Sequence, residues 1–330
     1  MVKYAENLNE FFLAFDPDAL RGEELDEFYY NATMPIRMND AYKSPMEDIY
    51  RACQAVRTQN AHLLLGHRGC GKSTELNALK QKLEEDGRKV SVIQCLLEAD
   101  RMNIVYWDLL ILLGQHLCKL AQKAGCGLPD ALLDCIEDFW KETEIIETVN
   151  DECNFAIKGE ISVSTPKIVK LLQVFAGLSS ELQFGQSKRE VIRDKVRKSA
   201  AQWIGYMKEV SDYITTHLDG KQPILIFEDL DKLTPEKAWE IFDNPLSQMP
   251  FPVIYTFPIS LSYDPRFAGL EASFNNIHVL PMIKIRTLEG DRFEAGIDAI
   301  RAIVGKRADL SLFYESDDES ALDLFISPLA

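Results

Sequence analysis

The chain has 330 residues, room for one large α/β core plus a small accessory unit, and its 46% hydrophobic and 27% charged composition excludes a disordered or low-complexity polymer. A formal net charge of −16 repels phosphate backbones at long range, so nucleic-acid binding needs a local basic patch. No run reaches the about eighteen uncharged apolar residues of a membrane span, the seven cysteines form no C-x-x-C pair, and Met1 to Glu6 carries no apolar leader; the expectation is a cytoplasmic protein with reduced thiols and no membrane attachment.

Residues 1–40 read as an acidic N-terminal arm whose aromatics, Phe11, Phe12, Phe15, Phe28, Tyr29 and Tyr30, are expected to pack on the core. A core domain over 41–288 follows, starting with a predicted helix over 46–58 and a buried strand, Ala61-His62-Leu63-Leu64-Leu65. That strand runs directly into Gly66-His67-Arg68-Gly69-Cys70-Gly71-Lys72-Ser73, a full match to the phosphate-binding pattern G-x-x-x-x-G-K-[ST]. Each residue type has a reason. The glycines let backbone N–H groups turn inward around a β-phosphate, Lys72 reaches the β- and γ-phosphates, and the Ser73 hydroxyl is a Mg²⁺ ligand. From Thr74 onward, Glu75, Leu76, Ala78, Leu79, Lys82 and Leu83 recur at helical spacing, so a helix N-terminus faces the same phosphates. Nucleotide binding is therefore assigned to Gly66 through Thr74. Within this loop Cys70 reads either as a reactive thiol beside phosphate or as a small space-filling residue.

Lys89 to Cys95 predicts the second strand, and a helix follows near 104–124. Far more chain then separates Lys72 from the next nucleotide motif than a minimal P-loop core needs, and an insertion is placed at about 125–188. Its acidic stretch, 129–152, has helical spacing, while Phe155 to Val163 alternates like a hairpin around Gly159. Such an insert offers a surface for a protein partner or for a second copy of the chain. Ile192, Val196, Ala200, Trp203, Met207, Val210 and Ile214 predict one long amphipathic helix from Arg189 to His217. At its start Lys188, Arg189, Arg193, Lys195, Arg197 and Lys198 form the single basic cluster, either a solvated helix face or a local nucleic-acid patch.

Pro223-Ile224-Leu225-Ile226-Phe227-Glu228-Asp229 is a short apolar strand ending in two carboxylates. A buried parallel strand delivers a Mg²⁺ ligand and a water-orienting base to its C-terminal edge in this way. Glu228 and Asp229 are the candidates for those roles. Val253 to Pro258 predicts a further strand, and Gly290 to Leu324 two or three helices, with Phe293, Ile297, Ile300, Ile303 and Val304 at helical spacing.

The loop G-H-R-G-C-G-K-S-T, the strand end F-E-D-L-D-K-L and the later strand V-I-Y-T-F-P resemble bacterial AAA+/STAND-type P-loop ATPases, which are similar to the origin-recognition ATPases; the resemblance covers Phe15 to Ile285. It implies an α/β fold, a P-loop NTPase three-layer sandwich with a five-stranded parallel sheet, with 289–330 as a short, partial helical lid. It also implies sensor 1 at Thr256, catalytic roles for Lys72, Glu228 and Asp229, and an N-terminal arm that flanks the adenine. Arg266 is the arginine-finger candidate, and Arg292, Arg301 and Arg307 are open to a sensor 2 role or to a solvated face. The sequence departs from the family at one point: Glu228 stands where the magnesium-side Asp is usual, and Asp229 where the catalytic carboxylate often is.

Two functions follow. One is Mg²⁺-dependent ATP hydrolysis that drives a conformational or assembly change, with Ser73, Glu228 and Asp229 as metal ligands and ATP and ADP as partners. The other is a nucleotide-dependent switch or scaffold with slow or no turnover. ATP is expected over GTP because no [NT]-K-x-D tetrapeptide follows the P-loop. A small-metabolite kinase is a third reading, disfavoured because no compact arginine-rich lid follows the core.

Overall fold

The computed structural model describes residues 4–7, 10, 14–15, 18–32, 34–37, 44–55, 60–141, 166–185, 188–274 and 276–309. In chain order its helices and strands are α1 (Glu23–Phe28), α2 (Met34–Arg37), α3 (Pro45–Gln54), β1 (Ala61–Gly66), α4 (Lys72–Glu85), β2 (Val90–Gln94), α5 (Cys95–Glu98), α6 (Tyr106–Lys123), α7 (Asp130–Lys141), α8 (Pro166–Phe184), α9 (Arg189–Lys198), α10 (Ala200–His217), β3 (Ile224–Glu228), α11 (Pro235–Phe242), β4 (Val253–Pro258), α12 (Phe267–Ser273), β5 (Asn276–Val279) and α13 (Glu294–Gly305). The fold is α/β. Its five strands form one all-parallel sheet in the lateral order β2-β3-β4-β1-β5.

Two compact units divide the chain: Met1–Tyr50 with Gly66–Lys82 and Val279–Ala330, and Arg51–Leu65 with Leu83–His278. The second holds the main core. Both β3 and β4 are buried along their whole length, as inner strands of a parallel sheet covered on two faces must be. The register sets Gln94 beside Glu228 and Phe227 beside Tyr255, so β2, β3 and β4 end at nearly one level. Around α6 the packing is close. Gly114 lets Trp203 of α10 lie against the helix backbone, where an added Cβ would stand 2.4 Å from the indole, and the indole Nε1 donates to the Leu110 carbonyl at 2.8 Å. Trp203 in turn meets Trp140 edge-on at 5.0 Å between ring centroids. Although α6 is apolar, no helix among the described residues is long and apolar enough to cross a membrane.

A directional chain of hydrogen bonds ties β1 to its neighbours within the same unit. Asn60 donates from Nδ2 to the Ala52 carbonyl at 3.0 Å, its Oδ1 lies 2.7 Å from His62 Nε2, and His62 Nδ1 lies 3.0 Å from His278 Nε2 on β5.

The first unit buries apolar clusters of its own. Leu20, Leu25 and Phe28 pack together with Tyr29 and Ala78, and Ala5, Ala14 and Ala308 gather with Phe15. Ala5 donates its amide to the Arg307 carbonyl at 2.8 Å, and Lys306 Nζ reaches the Tyr29 carbonyl at 2.7 Å. Phe28, Tyr29 and Phe15 of the arm pack in these local clusters, while Phe11 and Phe12 lie outside the described residues.

One expectation is corrected. The single helix from Arg189 to His217 is two helices, α9 and α10, parted at Ser199 with φ −127° and ψ 26°. Ser199 still donates to the Lys195 and Val196 carbonyls and accepts from the Trp203 amide, so the break costs little hydrogen bonding. Of the insertion, α7 and α8 are described, whereas the hairpin at 155–163 lies outside the described residues, as do residues 310–330 of the expected lid.

Candidate functional site

The glycine-rich loop from Gly66 to Ser73 belongs to the first unit. The apolar strand β1 carries the chain to Gly66, after which His67, Arg68 and Gly69 are exposed and Cys70 and Lys72 are buried. Gly69 and Gly71 have φ of +85° and +93°, the left-handed region that an L side chain enters only at a cost. Between them Cys70 donates its amide to the His67 carbonyl at 3.3 Å, and the Glu75 amide reaches the Gly71 carbonyl at 2.9 Å. Helix α4 therefore begins at Lys72, and its first turn, Lys72-Ser73-Thr74, carries amides with no carbonyl one turn earlier in the helix to accept them. Lys72 folds back over the loop, its ammonium donating to the carbonyls of Gly66 at 2.7 Å and His67 at 2.9 Å. Gly66 is needed for a further reason. A Cβ there would lie 2.8 Å from both the Leu280 carbonyl oxygen and the Cys70 sulfur.

Beneath the loop lies a buried group that the motif reading missed. Arg37 donates from Nη1 to the carbonyls of Cys70 at 3.1 Å and Pro281 at 2.7 Å, from Nε to Ala32 at 3.2 Å, and from Nη2 to the Glu75 carboxylate at 3.0 Å. Tyr29 donates its hydroxyl to the other Glu75 oxygen at 2.9 Å. Burial first, and then the Glu75 charge, push the Tyr29 phenol far above its ordinary range, so it stays a donor. Arg292 and Arg301 pair with Glu294 and Asp298 on and beside α13, and Arg307 reaches the Ala14 carbonyl at 3.4 Å.

The carboxylate pair belongs to the second unit. Strand β3 is apolar up to Glu228, which is 3% exposed, and the next residue, Asp229, turns the chain with φ +72°. Lys232, one short 3₁₀ turn later, pairs with Asp229 at 2.6 Å. Thr256 spans the turn from β4. Its hydroxyl donates to the Phe227 carbonyl at 3.3 Å and accepts from the Leu230 amide at 3.1 Å, which fixes the backbone on both sides of the two acids. Cys95, at the start of α5, feels them: burial and then the charges of Asp229, Glu98 and Glu228 drive its thiol well above its ordinary value. Also by burial, Cys53 and Cys118 are pushed up to about 12, and all three thiols are held protonated.

Near that edge is a hydrogen-bonded row that sequence reasoning did not find. Ser91 Oγ lies 2.7 Å from His116 Nδ1, and His116 Nε2 lies 2.7 Å from Glu98. Burial pushes the Glu98 carboxyl up, but the hydrogen bond and charge of His116, the Gln94 amide and Lys119 outweigh it and hold the group below its usual range.

Other predicted cations are already engaged within the second unit. Arg266 forms a two-bond fork with Asp264 and lies over the Trp239 ring at 4.5 Å; that fork lowers Asp264 to about 2. In the basic cluster, Arg193 holds the fully buried Asp108 at 2.6 and 2.8 Å, Arg189 pairs with Asp100 at 2.8 Å, Arg197 and Lys198 bind Asp194, and Lys195 sits over Phe139. These charges tie α9 to α6 through Asp108, to Asp100 before it and to Phe139 of α7, and the rest pair on the surface of α9 itself.

Taken singly, the Ser73 hydroxyl of the first unit and the Glu228 and Asp229 carboxylates of the second are hard oxygen donors, the kind Mg²⁺ takes. Among the described residues no group of three or more His, Cys, Asp or Glu side chains forms a self-sufficient metal cage. No protein-family model matches the chain, and no curated protein matches it at a significant level.

Proposed function

We propose that the protein is a P-loop nucleotide-binding protein of the AAA+/STAND kind that hydrolyses ATP with Mg²⁺ and passes the energy to a conformational or assembly change. The observation that carries this reading is the loop itself: two left-handed glycines flank Cys70, and a buried lysine is folded onto the loop's own carbonyls. In this reading the Lys72 ammonium exchanges two carbonyl partners for phosphate oxygens, and the loop amides hold the remaining charge. Ser73, Glu228 and Asp229 are each, by residue type, candidate Mg²⁺ ligands, and bound Mg²⁺ would supply charge neutralisation at the β- and γ-phosphates. Asp229 is the candidate to orient the attacking water, and Thr256 keeps the turn that presents it. The lateral order of the sheet is consistent with this, since connections after β1 and β4 leave in opposite lateral directions, and open parallel sheets bind ligands at such reversals.

A slow switch is the second reading, favoured by the Asp229–Lys232 pair, which engages the proposed water-orienting carboxylate, and by the fork that engages Arg266. Turnover of ATP by the parent, Lys72→Ala, Glu228→Gln and Asp229→Asn, together with binding of a slowly hydrolysed ATP analogue, separates the two. Hydrolysis by the parent that is lost in Asp229→Asn with binding intact supports the ATPase. Tight binding without turnover supports the switch, and absence of binding by the parent defeats both.

A further inference from the structure

We propose that Arg37 is a positioning residue for the phosphate loop, acting through the Cys70 carbonyl and the Glu75 carboxylate; the inference rests on the nucleotide-binding reading above. The guanidinium is buried and makes four hydrogen bonds to three stretches of chain: Ala32 beside its own helix, Cys70 and Glu75 of the loop and α4, and Pro281. All belong to the first unit. An arginine suits this junction because its planar fork presents several donors in fixed directions, whereas an ammonium offers a point charge.

The bond to Cys70 has a defined consequence. In a trans peptide the carbonyl of one residue and the N–H of the next point to opposite sides of the chain, and no cis peptide occurs among the described residues. With the Cys70 carbonyl drawn to Arg37, the Gly71 amide is turned away from Arg37. Gly71, at φ +93°, offers little steric resistance to rotation of that peptide, so an outside anchor is what holds one orientation. The opposite orientation would aim a carbonyl oxygen, instead of an N–H, at a bound phosphate.

Glu75 makes the same arginine matter electrostatically. The carboxylate sits in the first turn of the phosphate-binding helix, buried, with Arg37 at 3.0 Å and the Tyr29 hydroxyl at 2.9 Å as partners. Without the guanidinium its negative charge stands uncompensated near the phosphate site.

The test measures affinity for a slowly hydrolysed ATP analogue in the full chain, with Arg37→Gln, Arg37→Lys, Glu75→Gln, the Arg37→Gln/Glu75→Gln pair and Lys72→Ala. Arg37→Gln is expected to weaken binding by about tenfold to a hundredfold, the range for a lost charge-assisted hydrogen bond, with turnover at saturating ATP far less affected. Arg37→Lys should fall between, and removing Glu75 in the Arg37→Gln background should restore part of the affinity. A role confined to stability would show no such rescue. Amide hydrogen exchange over residues 66–75 without nucleotide gives a second reading, expected to quicken in Arg37→Lys; this variant also serves if Arg37→Gln does not fold. Affinity in the Arg37 variants equal to the parent, with Lys72→Ala deficient, overturns the proposal while leaving nucleotide binding intact, whatever the exchange data show. If the parent binds no nucleotide, both fall.

Discussion

At Gly66 the absence of a side chain is a packing requirement as much as a conformational one. Gly66→Ala would press a methyl against the Leu280 carbonyl oxygen and the Cys70 sulfur, each 2.8 Å away. The expected cost is about 1–3 kcal/mol of stability, read as a lower denaturation midpoint. Charge at single residues gives a second expectation. The folded value of Asp264 lies below its unfolded value of 3.8, so its ionised form favours the native state at neutral pH, and that contribution disappears as pH falls from there through about 2. An NMR titration should place its midpoint at about 2, and Arg266→Ala should return it toward 3.8. Legibility at this scale followed covalent spacing. The pattern from Gly66 to Ser73 is legible because its members are neighbours in the chain. Arg37 did not, since its partners at 32, 70, 75 and 281 share no spacing and meet only in the folded molecule. The row Ser91, His116 and Glu98 was hidden for the same reason.

Among the elements, the buried strands were plain in advance because an inner parallel strand is apolar on both faces, and β1, β3 and β4 lie where their apolar runs lie. The break at Ser199 was not. Val196 and Trp203 stand seven residues apart, two helical turns, so the apolar phase continues across the interruption and periodicity alone reads one helix. A basic run likewise cannot declare its partners: Arg193 faces Asp108, which is distant in sequence and fully buried. The seam between α6 and α10 offers a direct check. Gly114→Ala gains about 1 kcal/mol of helix propensity but drives a methyl into the Trp203 ring at 2.4 Å. Overpacking by about 1–3 kcal/mol should win, giving a net loss of stability in urea titrations.

For the whole molecule, the parallel α/β class was readable from alternating strand and helix patterns, yet the lateral order β2-β3-β4-β1-β5 was not, because side-by-side placement is decided by how crossovers pack. Nor did composition reveal that the chain gathers into two compact units, with the glycine-rich loop from Gly66 in one and the paired acids Glu228 and Asp229 in the other. Ligand linkage tests the proposed activity without assuming turnover. ATP with Mg²⁺ at about a hundredfold above its Kd should stabilise the native chain by about 2.7 kcal/mol, seen as a rise in Tm of about 4 °C. The shift should vanish in Lys72→Ala, whose melting without nucleotide serves as the control.

The left-handed backbone at Asp229 bears on the order in which the two acids stand. Of the non-glycine residues, Asp and Asn enter that region most readily, and the longer Glu side chain gains no comparable local bond there. A Glu at 229 would therefore meet resistance from the chain before any question of chemistry arose, whereas Glu228, still within β3, has an extended backbone that accepts it. The order Glu then Asp is what this turn geometry selects. In a saturation library at 229, folding alone should admit Asp, Asn and Gly, and any narrowing of that set to Asp measures what the carboxylate itself is for.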